Sequence, residues 1–204
     1  MEPFYVQLLP PLLTRPLLVK PVEMQIQTIS ALNFVLGLTP PLLKLTEEAS
    51  QKLPELLSEV LKLAQSDHDE PGPVIRIPNF PQQSRAAVHT HLRIACIELL
   101  CTAMANPKIK VLAQGELRTM TIAMFFKSLT CRTPEIVAAS KKGLTGVIAQ
   151  QKLPKDLLQS SLRPILGPIC AHHKHLSLPL LQGLARLLEL LSSWFNVTLG
   201  EKLI

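Results

Sequence analysis

Leucine, isoleucine, valine and alanine recur three and four positions apart along most of this chain, and prolines cut the pattern into segments. The spacing predicts a first helix over 21–38, opened by Pro21, with Val22, Ile26, Ile29, Leu32 and Leu36 on one side. "TPPLL" stops it. Thr46 is a suitable N-cap for a second helix, with Glu47 and Glu48 where the helix dipole favours acids. That helix has the cleanest stripe in the chain: Leu53, Leu56, Leu57, Val60, Leu61 and Ala64. The two are expected to form a helical hairpin.

Residues 66–83, "SDHDEPGPVIRIPNFPQQ", break the rhythm with prolines, a glycine and acids, and predict a long loop that is mobile at its acidic end. A third helix is predicted over 84–104, with Val88, Leu92, Ala95, Leu99 and Ala103 on one face. "NPKIKVLAQG" separates it from a fourth over 116–129. A fifth runs over 134–150. A sixth starts near Pro154 and is expected to kink or break at Pro164 and Pro168. A seventh covers 178–195, with Ser177 as N-cap and Pro179 in its first turn. No alternating segment of strand length competes with these. Helices with single apolar stripes and proline-punctuated joints predict an all-α fold, an α-solenoid of HEAT-type helical hairpins, with an irregular bundle as the alternative.

Composition agrees with that class. Apolar residues make up 47% of the 204 and charged residues 18%, enough to bury a core, while aromatics are only 4%. No apolar run reaches membrane-spanning length, because Gln182, Arg186 and Glu189 interrupt the most apolar stretch. The start lacks a basic signal-peptide region. A formal charge of +6 is compatible with acidic partners. Scarce aromatics argue against a base-stacking platform for single strands.

Two clusters invite chemistry. Cys131 stands beside Arg132 in "SLTCRTPEIV", just before a helix start, where a thiolate is favoured. A phosphate-cradling cysteine loop needs an arginine six positions after the cysteine. That position holds Val137, with no glycine between. Thr133 as N-cap and Pro134 as first helical residue explain the segment without catalysis. In "CAHHKHLS", Cys170, His172, His173 and His175 are all possible zinc ligands, but a second ligand pair elsewhere is missing, and the stretch reads as a solvated turn. His89 and His91 lie two apart on different helix faces. Asn196 begins an N-x-T sequon that reads as chance. Cys96, Cys101, Cys131 and Cys170 lack C-x-x-C spacing and are expected as reduced thiols. Nucleotide-loop, dinucleotide, zincin and kinase motifs are absent, so no catalytic residue, cofactor or metal is assigned.

Five collinear blocks carry an identity: "ALNFVLGLTPPLLKLT" (31–46), "ACIELLCTAMA" (95–105), "MFFKSLTCRTPEIVAAS" (124–140), "LPKDLLQSSLRPIL" (153–166) and "LSLPLLQGLARLLELLSSWFNVTLGEKL" (176–203). They resemble the transformation/transcription domain-associated protein family, nuclear pseudokinase relatives of the phosphatidylinositol-3-kinase-related kinases. The resemblance implies one segment of a HEAT-type solenoid over 1–204, without the FAT or kinase-like portions of the family. It implies a non-catalytic nuclear scaffold of SAGA-type histone acetyltransferase complexes, whose partners are transcription activators, other complex subunits and the rest of the solenoid. A segment cut from a solenoid is expected to expose apolar edges at its ends. Activation segments are acidic and hydrophobic, so Arg132, Lys141, Lys142, Lys152 and Lys155, near consecutive predicted helix ends, are the candidate basic rim for them. A helical-repeat module for nucleic acid or nuclear-transport cargo is the alternative binding class.

Overall fold

The computed structural model describes residues 13, 16–38, 47–65, 85–112, 115–150, 153–171 and 177–192. Among them the secondary structure is helical: a 3-10 turn at Leu17–Val19, then α1 (Val22–Gly37), α2 (Glu47–Gln65), α3 (Arg85–Ala105), α4 (Pro107–Leu112), α5 (Glu116–Ser128), α6 (Pro134–Gln150), α7 (Lys155–Ala171) and α8 (Leu178–Leu191). The all-α, HEAT-type expectation holds. The predicted loop at 66–83 lies outside the described residues, as do Thr46 and 193–195 of the predicted last helix.

The chain divides into two compact units, Met1–Leu117 and Arg118–Ile204. In the first, α3 is the common partner along which both α1 and α2 pack. The expected pairing of the first two helices is therefore mediated by a third. The reason is in α3 itself. Besides the predicted Leu92, Ala95, Leu99 and Ala103, it buries Cys96, Ile97, Leu100 and Met104, so it is apolar on two sides and accepts two neighbours. The stripe predicted on α2 is buried along its whole length and extends to Ala49.

α1 is rotated from the predicted stripe. Ile29, Leu32, Val35 and Leu36 are buried, whereas Val22 and Ile26 are half-buried and Gln25 lies inside. A buried amide needs partners. Gln25 Nε2 donates to the carbonyls of Leu17 (3.1 Å) and Lys20 (3.0 Å). The other end of the same 3-10 turn is held by α2: Leu17 N–H donates to Glu59 Oε2 at 2.6 Å and Leu18 N–H at 3.3 Å. The 3-10 turn thus docks through its backbone, which no hydrophobic pattern foretells. Pro21 (φ −54°, ψ 149°) is the N-cap of α1, not its first helical residue. Its carbonyl accepts the first helical bond, from Gln25 N–H. Farther along, Thr102 Oγ1 donates to Asn33 Oδ1 at 2.5 Å and ties α3 to α1.

Two further departures are local. "PKIKVL" forms the short helix α4, begun by Pro107 at its first position and anchored by buried Ile109. Of the expected kink or break at Pro164 and Pro168, the break does not occur: α7 runs as one helix through both. The prolines are four apart, one turn on the same helix side, so the amide bonds they remove fall on a single face and the other faces keep their ladder. In the second unit, α5 buries Ile122, Met124, Phe125 and Phe126. Ile136, Val137, Leu144 and Val147 of α6 are buried too, as are Leu157, Leu158 and Leu162 of α7 and Leu187 of α8. α7 packs against α8.

Candidate interaction surface

The "SLTCRTPEIV" segment is a helix end, a turn and a helix start. α5 tightens as it ends: Leu129, Thr130 and Cys131 donate their N–H groups to the carbonyls three residues back, at 3.1–3.2 Å. Thr130 Oγ1 also donates to Lys127 O at 2.8 Å. α6 then opens with Val137 N–H donating to Thr133 O. Pro134 occupies the first helical position, as the sequence predicts. Cys131 is half-buried and Arg132 exposed.

Cys96, Cys101 and Cys131 are in the thiol form. Cys96 is fully buried in α3, and burial pushes its thiol up to about 12 from 9.0. Alkylation followed by mass spectrometry is expected to modify Cys131 readily and to spare Cys96 until the chain unfolds. The folded chain holds the Cys96 proton at pH values where the unfolded chain has lost it. Stability is therefore expected to be unaffected below about pH 9 and to fall as the pH rises from there toward 12, in a denaturation series.

Of the candidate rim residues, Arg132 lies in the α5–α6 turn, Lys142 on α6 and Lys155 at the first position of α7, all exposed. Lys141 is engaged: its Nζ lies 2.7 Å from Glu189 Oε2 of α8. Both side chains are largely solvated, so the pair contributes at most about 1 kcal/mol. Lys152, His172, His173, His175 and Asn196 lie outside the described residues, and Cys170 is placed only by its backbone in α7. His89 is half-buried and His91 exposed on α3, facing different ways. Among the described residues no group of three or more histidine, cysteine or acidic side chains could hold a metal ion, and no helix is long and apolar enough to cross a membrane.

Two features of the second unit escaped the sequence reading. α8 lies flush against the α5–α6 turn at Gly183, where a Cβ would sit 2.7 Å from Thr130 Cγ2, 3.2 Å from Thr130 Cα and 3.3 Å from Leu129 O. One turn on, Arg186 Nη1 donates to that same Leu129 carbonyl at 2.8 Å, capping the C-terminal end of α5. The signal was the trio Gln182, Arg186 and Glu189, a polar strip at helical spacing inside a leucine-rich helix.

The second feature is electrostatic. Once the unit boundary is placed, the positive charge is not scattered. Arg118–Ile204 holds eleven Lys and Arg against four Asp and Glu, a surplus of seven. Met1–Leu117 holds ten against eleven, a deficit of one. The basic character of the chain belongs to the unit that carries the candidate rim.

Comparison with known proteins places this geometry. A family model described as the Tra1 HEAT repeat ring region matches residues 1–204. The chain is 37% identical over 198 residues to the SAGA complex/NuA4 acetyltransferase complex subunit TRA1 of Saccharomyces cerevisiae, covering 97% of this chain and 5% of that one. It is 39% identical over 183 residues to the probable transcription-associated protein 1 of Dictyostelium discoideum, covering 89% and 4%. With the corresponding Tra1 subunit of Schizosaccharomyces pombe it shares 36% over 199 residues, 97% and 5%. The chain thus spans about one-twentieth of the length of these relatives. No solved structure matches it significantly.

Proposed function

Because this chain belongs to the Tra1 HEAT repeat ring family, we propose that it works as a non-catalytic protein-interaction scaffold, one solenoid segment of a nuclear transcription coactivator subunit. The names of the relatives supply the assemblies, SAGA and NuA4. A helical-repeat segment supports this role physically, since it offers surface without needing a reaction centre. The finer reading is that the segment receives transcription activators. The observation that carries it is the surplus of seven positive charges in the unit Arg118–Ile204, which suits the acidic, hydrophobic chemistry of activation segments. In this reading Arg132, Lys142 and Lys155 form the exposed rim, with Lys152 beside them in sequence and Lys141 available once Glu189 is displaced.

Charge reversal tests the reading without disturbing the core. Lys142→Glu combined with Lys155→Glu is expected to weaken binding of an acidic activation peptide several-fold and to flatten its salt dependence, measured by fluorescence anisotropy. Thermal stability should stay within about 0.5 kcal/mol of the parent, since both positions are exposed. Unchanged peptide affinity removes the rim from the site. Tighter, steeply salt-dependent binding of duplex DNA would favour a nucleic-acid module instead.

A further inference from the structure

The turn between α5 and α6 carries a threonine that the scaffold role does not explain. Thr133 stands immediately before Pro134, the first residue of α6, and residues 131–133 belong to no helix. A protein kinase takes its acceptor residue from an extended segment, because the substrate backbone must lie along the cleft. Other threonines of the unit fail that requirement. Thr119, Thr121 and Thr145 lie inside helices, and the Thr130 hydroxyl is bonded to Lys127 O while its methyl abuts Gly183. Thr133 meets it. The proline that follows disfavours the helical region for its backbone and pushes it toward extended geometry. Its side chain is half-buried, and Arg132, Pro134 and Glu135 on either side are exposed. Among the described residues its carbonyl accepts from Val137 N–H, whereas its hydroxyl has no hydrogen-bond partner. Pro134 supplies the second half of the signal. In a proline-directed kinase the pocket after the acceptor offers a backbone N–H no partner, and proline has no N–H to leave unpaired.

We infer that Thr133 is the phosphoacceptor of a proline-directed protein kinase, and that the phosphate it receives turns down the basic rim. The step is phosphoryl transfer from ATP. Thr133 Oγ1 attacks the terminal phosphorus, and the new O–P bond replaces the one to the bridging oxygen. ADP leaves, and the hydroxyl proton passes to a carboxylate of the kinase. The group adds about two negative charges at pH 7, directly beside Arg132, so the surplus of the unit falls from seven to about five. An acidic activation segment then meets like charge within the rim. The fold tolerates the modification, because Thr133 precedes the 17-residue α6, whose dipole favours negative charge at that end. Phosphorylation therefore changes what the unit binds without unfolding it. The acceptor site stands on its own observations, and only its consequence for the rim rests on the activator reading.

The test treats the 204-residue chain with ATP and either a cyclin-dependent or a mitogen-activated kinase, and maps phosphate by tandem mass spectrometry. Phosphate is expected at Thr133 from at least one of them, and at no such position in Thr133→Val. Pro134→Ala keeps the acceptor but restores the N–H, and is expected to be modified about tenfold more slowly or worse. The phosphorylated chain should melt within about 4 °C of the unmodified one. It should bind the acidic activation peptide several-fold more weakly, with a flatter salt dependence. Absence of phosphate at Thr133 from both kinases overturns the inference, as does modification of Pro134→Ala at the parent rate. A larger fall in melting temperature overturns it too, since the phosphate would then act by unfolding the turn. Equal peptide affinity before and after modification overturns the effect on the rim. If neither form binds the peptide, the activator reading fails, while proline-dependent phosphate at Thr133 still establishes the acceptor site.

Discussion

Phe125→Ala is expected to destabilise the chain by about 3–5 kcal/mol, the range for truncating a fully enclosed aromatic side chain. Phe125 has no solvent exposure, and beside it on α5 Ile122, Met124 and Phe126 are also closed off. Neighbours so tightly set cannot collapse into the space left behind. Phe34 provides the contrast, since it is 69% exposed on α1 and its truncation should change stability by less than about 0.5 kcal/mol. Urea denaturation of both variants checks the pair. A loss below about 1 kcal/mol at Phe125 would mean that α5 is not the core helix described.

Gly183→Ala is expected to destabilise by about 1–3 kcal/mol, although alanine is the better helix former. Propensity alone would give a gain of up to about 1 kcal/mol. Against it stands the contact with the α5–α6 turn. The new Cβ meets Thr130 Cγ2 at 2.7 Å, and behind that methyl lie two backbone atoms, Thr130 Cα and Leu129 O, that cannot rotate away. Thr130 is held in place by its hydroxyl bond to Lys127 O. Separating α8 from the turn would also stretch the bond from Arg186 to Leu129 O. Gly146 in α6 decides the matter by its sign. A Cβ there meets nothing within 4 Å, so Gly146→Ala should stabilise by about 0.4–1 kcal/mol. Thermal melts of the two alanine variants moving the same way would refute the close approach at Gly183.

These sites differ in how far they could be read from the chain alone. The stripe of α2 was legible because that helix has one buried face, and a single face leaves a single period. α3 and α5 were harder. Each buries residues around most of its circumference, so periodicity marked that they are helices but not which side meets which neighbour. Pro164 and Pro168 misled because a proline signals a lost hydrogen bond, while the surrounding ladder decides whether the helix survives it. Of the candidate rim, the sequence located the basic residues. It could not show that Lys141 is taken up by Glu189, forty-eight positions away.

By itself, then, the sequence determined the helical class, most helix boundaries, the family resemblance and the absence of a recognisable catalytic motif, because these depend on local spacing and residue order. Tertiary structure decided three things: that Gln25 and Glu59 clasp the 3-10 turn, that Gly183 and Arg186 lock α8 onto the end of α5, and that Leu178, Leu181 and Leu188 of α8 are exposed while Leu187 is buried. Each depends on groups far apart in the chain meeting in space. No local pattern encodes that meeting, since a helix with two apolar sides can be turned either way until a polar strip and one missing Cβ choose between them.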